Sequence, residues 1–127
     1  DTIVVLNQDI LEKPHNKENA VFMLKQLSNK THTVLSGVCF SYFEKGKEAP
    51  SSDYLFCKTL VTFKTLQEEE IIQYVNTGEP LDKAGSYAIQ GIGGYMVKEI
   101  KGSFSNVIGL PMCETIEQLN KISQKLL

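Results

Sequence analysis

The sequence predicts an α/β fold, a mixed and partly antiparallel sheet flanked by helices, in one domain over residues 1–127. Three observations carry that reading. Apolar or alternating runs at 2–6, 31–43 and 54–66 have the texture of strands. Apolar residues recur at helical spacing at 17–27 and 114–127. No internal repeat, low-complexity tract or linker separates these segments, and the length suits a single core.

In chain order, Thr2–Leu6 reads as a short buried strand, Asn7-Gln8-Asp9 as a tight turn and Ile10-Leu11 as a short return strand. Pro14 interrupts regular structure. Asn16 is placed to cap a helix from Lys17 to Leu27, with an inward stripe of Ala20, Met23 or Leu24, and Leu27, and Asn29 closes it. Thr31–Phe43 and Tyr54–Leu66 form an expected antiparallel pair around a polar loop containing Gly46 and Pro50–Asp53. Thr65 or Gln67 opens a helix with Glu68, Glu69 and Glu70 in its first turn, where the helix dipole favours anions. Ile71, Ile72 and Val75 supply its apolar face, and Gly78 ends it. Gly94–Ile100 reads as a strand, and Ser103–Leu110 is expected to run back after a turn at Gly102. Glu114–Leu127 is a final helix with Ile116, Leu119, Ile122 and Leu126 facing inward.

A formal net charge of −2 gives no electrostatic footprint for nucleic acid or an anionic membrane. All thirteen basic residues are lysine. Any anion site built from this chain therefore works with point charges rather than the bidentate fork of arginine. Cys39, Cys57 and Cys113 have no metal-ligand spacing; Cys39 and Cys57 read as small buried hydrophobes in strands. That usage fits a reducing compartment, and we expect a cytoplasmic protein. No run approaches membrane-spanning length, and no signal peptide is visible. The chain opens directly on a buried-strand pattern, which leads us to expect further chain before it.

Polar chemistry is concentrated in GEPLDKAGSYAIQGIGG, residues 78–94, with Glu79, Asp82, Lys83, Gln90 and five glycines. Caps and turns account for Gly78, Pro80 and Asp82 but leave Lys83 and Gln90 unexplained. Polar groups within an apolar frame are costly unless paired, so the density reads as a site. The glycines match neither GxxxxGK[ST] nor GxGxxG, and serve as turn formers that let a ligand approach the backbone. Taken alone, Asp1 reads as a solvated residue at a strand mouth and Lys13 as a surface lysine stiffened by Pro14. His15 and His32 lack partners at metal-ligand spacing; neither is given a catalytic role, and His32 is expected at an exposed strand position. The Glu68–Glu70 run is a dipole-matched helix start rather than a metal site.

DTIVV at 1–5, LEKP at 11–14, THTVLSGV at 31–38, GEPLDKAGSYAIQG at 78–91 and GSFSNVIGLP at 102–111 stand in the order and spacing of the Maf family. The chain resembles that family over nearly its whole length. The resemblance implies an α/β fold related to the inosine triphosphate pyrophosphatases, with a cleft between two lobes. It implies hydrolysis of nucleoside triphosphates to a monophosphate and pyrophosphate, dependence on a divalent metal (Mg or Mn), a role in cleaning the nucleotide pool, and a homodimer. Asp1 matches the family's catalytic aspartate, with metal binding or water activation as its role. Lys13 matches the KP lysine and Gln90 the glutamine of IQG. Glu79, Asp82 and Lys83 match the charged members of GEPxDKAG. The lysines would neutralise phosphate, Glu79 and Asp82 would hold metal or orient Lys83, and Gln90 would meet the edge of a pyrimidine base or a water. DKAG with IQG resembles the branch acting on dTTP and UTP.

The family's leading strand and SxSPRR phosphate loop, and an upstream acidic residue, have no counterpart here. The resemblance is thus to an N-terminally truncated member. The alternative expectation is a catalytically impaired nucleotide-binding or interaction module without the arginine loop.

Overall fold

The structure is a computed structural model, and it describes residues 1–126. Leu127, the expected last residue of the final helix, lies outside the described residues. Five strands form one sheet: β1 (Thr2–Leu6), β2 (Asp9–Leu11), β3 (Thr31–Tyr42), β4 (Ser51–Phe63) and β5 (Val97–Lys101), in the order β2-β1-β3-β4-β5. Four helices accompany them: α1 (Lys17–Leu27), α2 (Glu68–Asn76), α3 (Phe104–Ile108) and α4 (Met112–Leu126). Every described pairing is antiparallel, so the helix-flanked sheet holds while its expected mixed character gives way to uniform antiparallel pairing.

Local chemistry explains the early elements. Asn7 and Gln8 take φ of 50° and 73°, the left-handed pair that matches the twist of a two-residue hairpin, and Leu6 pairs with Asp9 across it. The Asn16 side chain accepts from Asn19 N at 2.8 Å and so satisfies a free amide of the first turn of α1. Ala20, Met23, Leu24 and Leu27 are buried together on that helix. In α2, Gln67 N donates to Glu70 Oε2 at 3.2 Å, and Glu70 also binds Lys64 at 2.6 Å.

β3 and β4 pair at twelve positions, from Thr31 with Thr62 to Tyr42 with Ser51. Strand parity then decides which side chains reach the core. Val34, Val61 and Phe63 face inward and join Val4, Leu24, Leu27, Ile71, Val75, Tyr87 and Met96 in one cluster. The same parity overturns two expectations. His32 shares the face of Val34 and is buried, with 1% exposure. Cys39 points the other way and is exposed. Cys57 is half-buried, its thiol donating to Glu114 Oε2 at 3.3 Å. Among the described residues no helix is long and apolar enough to cross a membrane.

Other boundaries also moved. β4 begins at Ser51 and ends at Phe63, because the ladder to β3 continues through residues whose composition looks loop-like. The stretch before β5 is a 3-10 turn, Ile92–Met96. Ser103–Leu110 does not return as a strand: it folds into α3, stopped by Gly109 at φ 136° and anchored by buried Asn106. Ile72 is exposed, since Ile71, Tyr74 and Val75 occupy the inward arc of α2. α4 buries Ile122 but leaves Ile116, Leu119 and Leu126 exposed; its Glu114 and Gln118 meet β4 at Cys57 and Asp53.

Candidate active site

A cavity of about 300 Å³ opens where β1, the loop after β2, the Gly78–Met96 passage and α3 converge. Asp1, Lys13, Asp82 and Lys83 are among its lining residues, together with Val4, Val34, Tyr87 and Val107. Each position follows from the local fold. Asp1 extends the β1–β3 ladder by one rung: Gly37 N donates to Asp1 O at 2.9 Å, and Asp1 N donates to Gly37 O at 2.8 Å. Its Oδ1 accepts from Thr2 N at 2.9 Å. Thr2 in turn donates to Gly109 O at 3.0 Å and accepts from Ser36 Oγ at 2.7 Å, which ties the end of α3 to β1 and forms one wall.

Lys13 lies two residues beyond β2, and Gly85 N donates to Glu12 O at 3.3 Å, bringing the loop of Lys13 beside the one carrying Lys83. Gly85 has φ 71°, and a Cβ there would lie 3.0 Å from Val4 Cγ1; only glycine lets this loop lie flat on the strand. Lys83 Nζ is 3.1 Å from Asp82 Oδ1. The Asp82 carboxyl is held below its ordinary value, first by the Lys83 hydrogen bond and charge and to a smaller extent by Lys13. Lys13 enters no ion pair among the described residues. The rim is therefore a small field of two cations and two anions around an apolar floor.

Beneath that floor lies polar structure the sequence did not reveal. The Tyr87 hydroxyl meets His32 Nε2 at 2.7 Å across 55 residues of sequence, and both rings stack edge-on with Phe63. Burial lowers the His32 pKa to about 4 and raises that of Tyr87, so the imidazole is neutral. Asn106 Nδ2 donates to Val34 O at 3.1 Å and Thr59 Oγ1 at 3.0 Å, locking α3 onto the sheet behind the cavity. The signal for His32 was present in the strand parity. Tyr87 stands inside the motif block, but nothing in sequence pairs it with His32.

Glu79 and Gln90 lie outside the lining of this cavity. The Glu79 carboxylate accepts from Ile92 N at 2.9 Å and Gly93 N at 3.0 Å. Burial acts to raise its pKa, but the Tyr74 hydroxyl, the two amides and the charge of Lys83 outweigh it and hold it below its ordinary value. Gln90 is exposed in a turn closed by Gly91 N donating to Ala88 O at 3.2 Å. The six predicted residues thus form two groups, four around the cavity and two outside its lining, Glu79 at the start of the 3-10 turn that carries Asp82 and Gln90 in the turn beyond. Among the described residues no group of three or more His, Cys, Asp or Glu is arranged to hold a metal.

Residues 1–122 match the family model described as "Maf-like protein". The chain belongs to the Maf family. This Maf-family chain is 48% identical over 125 residues to the dTTP/UTP pyrophosphatase of Escherichia coli O6:K15:H31 (strain 536 / UPEC), covering 97% of this chain and 59% of that protein. It is 47% identical to the protein of the same name from Escherichia coli O157:H7, with the same coverage. It is also 47% identical to the dTTP/UTP pyrophosphatase of Geobacter sulfurreducens (strain ATCC 51573 / DSM 12127 / PCA), covering 96% of this chain and 62% of that one. The Maf-family chain spans about three-fifths of the length of the curated relatives it matches.

Proposed function

We propose that this chain carries part of the active site of a nucleoside triphosphate pyrophosphatase acting on dTTP and UTP, with removal of such nucleotides from the cytoplasmic pool as its role and a homodimer as its assembly. The observation that supports this most is the convergence of Asp1, Lys13 and Lys83 on one cavity from three separate segments of the chain. The names of the relatives supply the nucleotide class.

In this reading a water attacks the α-phosphorus. A new P–O bond forms to the water oxygen, the bond from the α-phosphorus to the bridging oxygen breaks, and pyrophosphate leaves. Asp1 accepts the proton of the attacking water. Lys13 and Lys83 stabilise charge on the phosphate oxygens as the leaving group departs. Asp82 holds the Lys83 ammonium at the rim, while the apolar floor limits water near the reacting centre. Glu79 and Gln90 act from the adjoining loop.

A hard divalent ion fits the donor chemistry in part. Mg²⁺ is commonly held by one or two carboxylates together with substrate phosphates. The Asp1 carboxylate uses Oδ1 for Thr2 N, so Oδ2 is the oxygen open to the attacking water or, in place of that role, to the ion. When bound, such an ion would neutralise phosphate charge and help align the α-phosphate.

Pyrophosphate release from dTTP and UTP, with Mg²⁺ or Mn²⁺ present, tests the reading. Loss of a general base lowers kcat by about 10²- to 10⁴-fold, so Asp1→Ala should fall in that range. Turnover of Asp1→Ala at the parental rate would reject it. The second reading, a module that binds nucleotide without hydrolysing it, is not favoured by the names of the relatives. Calorimetry that finds nucleotide binding alongside zero turnover would favour that module over the enzyme.

A further inference from the structure

The segment that carries Gln90 is pinned at both ends by side chains. At its start, Ala88 N donates to the Tyr74 hydroxyl at 3.1 Å. At its end, Ile92 N and Gly93 N both donate to the Glu79 carboxylate. Between these points Gly91 N closes a turn onto Ala88 O, with Gln90 at its exposed tip, and Gly94 N closes the next onto Gly91 O at 3.2 Å. The two pins are joined to each other. Thr77 Oγ1 donates to Tyr74 O at 2.6 Å and accepts from Glu79 N at 3.2 Å, so the end of α2 and the start of the passage form one unit.

The close fit leaves no room for side chains. A Cβ on Gly91 would collide with Glu79 Oε1, and one on Gly93 would lie 2.5 Å from the Tyr74 hydroxyl oxygen. The carboxylate thus reaches both amides because the backbone before it is bare. Each of its oxygens is engaged by the loop, Oε1 by Ile92 N and Oε2 by Gly93 N, and Glu79 is not among the residues lining the cavity.

We propose that Tyr74 and Glu79 form a clamp that fixes the turn presenting Gln90, and that Glu79 is a positioning residue rather than a ligand of the substrate or its metal. This rests on the hydrolase reading only where it concerns Gln90 and the nucleotide; the clamp itself is a property of the chain. A charge-assisted pair of amide bonds holds the loop before substrate arrives, so less order has to be gained on binding.

Hydrogen exchange and kinetics on the full chain test it together. In Glu79→Gln, exchange at Ile92 and Gly93 should quicken by about tenfold or more, while the amides of the β3–β4 ladder keep their protection. In Tyr74→Phe the change should fall on Ala88. For dTTP hydrolysis, Glu79→Gln should raise KM about tenfold with kcat within about threefold of the parent. Gln90→Ala should do the same, and the double variant should be no worse than Gln90→Ala alone. Unchanged exchange at Ile92 and Gly93 overturns the clamp. So does an increase in the Mg²⁺ concentration needed for half-maximal rate in Glu79→Gln, which would mark a metal ligand, or a collapse of kcat with KM unaltered. Full additivity with Gln90→Ala removes the positioning role. If no preparation hydrolyses nucleotide, the hydrolase reading falls and the exchange result alone decides the clamp.

Discussion

The β3–β4 hairpin and the Gly78–Met96 passage stabilise themselves by opposite means. The hairpin is held by a continuous backbone ladder, and its side chains divide cleanly into an inner face that packs and an outer face that does not. Phe56 on the outer face is 80% exposed. The passage has only short 3-10 turns, and where these leave amides free, side chains take them: Tyr74 that of Ala88, and Glu79 those of Ile92 and Gly93. In the hairpin the cost of a substitution depends on which face it lands on. In the passage a methyl group added at Gly85, Gly91, Gly93 or Gly94 meets an occupied position. The His32–Tyr87 bond is the seam where the two regions meet.

The sharpest way to break this contrast is at Phe63, a fully buried ring of the hairpin that touches the seam. Phe63→Ala should cost about 3–5 kcal/mol, read as a fall in the denaturant midpoint with the slope unchanged. A loss below about 1 kcal/mol would show that the inner face does not set stability.

The seam should respond to pH. His32 has its pKa lowered from 6.5 to about 4 by burial. The unfolded chain therefore takes up a proton in a window where the folded chain refuses it. Stability is whole above 6.5 and declines as pH falls toward 4, by about 3 kcal/mol over the full interval. Unfolding curves across that range should lose this slope in His32→Phe. An identical slope in parent and variant would assign it to other groups. Glu79, whose pKa is also depressed, adds a loss of the same sign in more acid solution, as pH falls through its folded-state value.

A smaller effect is expected in the passage at Gly93. Gly93→Ala places a methyl against the Tyr74 hydroxyl and should cost about 1–3 kcal/mol in thermal unfolding. Pairing it with Tyr74→Phe, which removes the obstructing oxygen, should recover part of that loss; no recovery would place the strain elsewhere. The smallest effect belongs to the outer hairpin face, where Phe56→Thr should stay within about 0.5 kcal/mol of the parent. A larger loss would mean that this face packs against something in solution.

Much of the fold was legible because its signals are local. Asn7-Gln8-Asp9 announces a tight turn before a return strand, although Asp9 already pairs as strand, Asn16 announces a helix cap, and the alternation of β3 and β4 an antiparallel pair. What failed was phase and context. Ser51–Asp53 look like loop and pair as strand because the ladder extends over them. FSNVI has β-branched residues yet becomes helix α3, since Asn106 finds three acceptors on the sheet that only tertiary structure provides. In the candidate site, the resemblance named Asp1, Lys13, Asp82 and Lys83, and the fold brings those four around one cavity. It also named Glu79, whose partners Ile92 and Gly93 lie 13 and 14 residues away in sequence. No spacing rule could have told a carboxylate reaching for metal from one gripping backbone.

The bare α-carbon of Gly85 has a consequence for the charge gathered at the cavity rim. Because nothing projects from it, the segment leading to Lys83 settles onto Val4 and the segment leading to Lys13 is drawn alongside through Glu12. The approach of the two lysine-bearing segments depends on a hydrogen atom where any other residue would put a carbon. Attraction between charges falls with distance, so a methyl at this one spot would push the two segments apart and thin the positive field they share, although both lysines remain in the sequence.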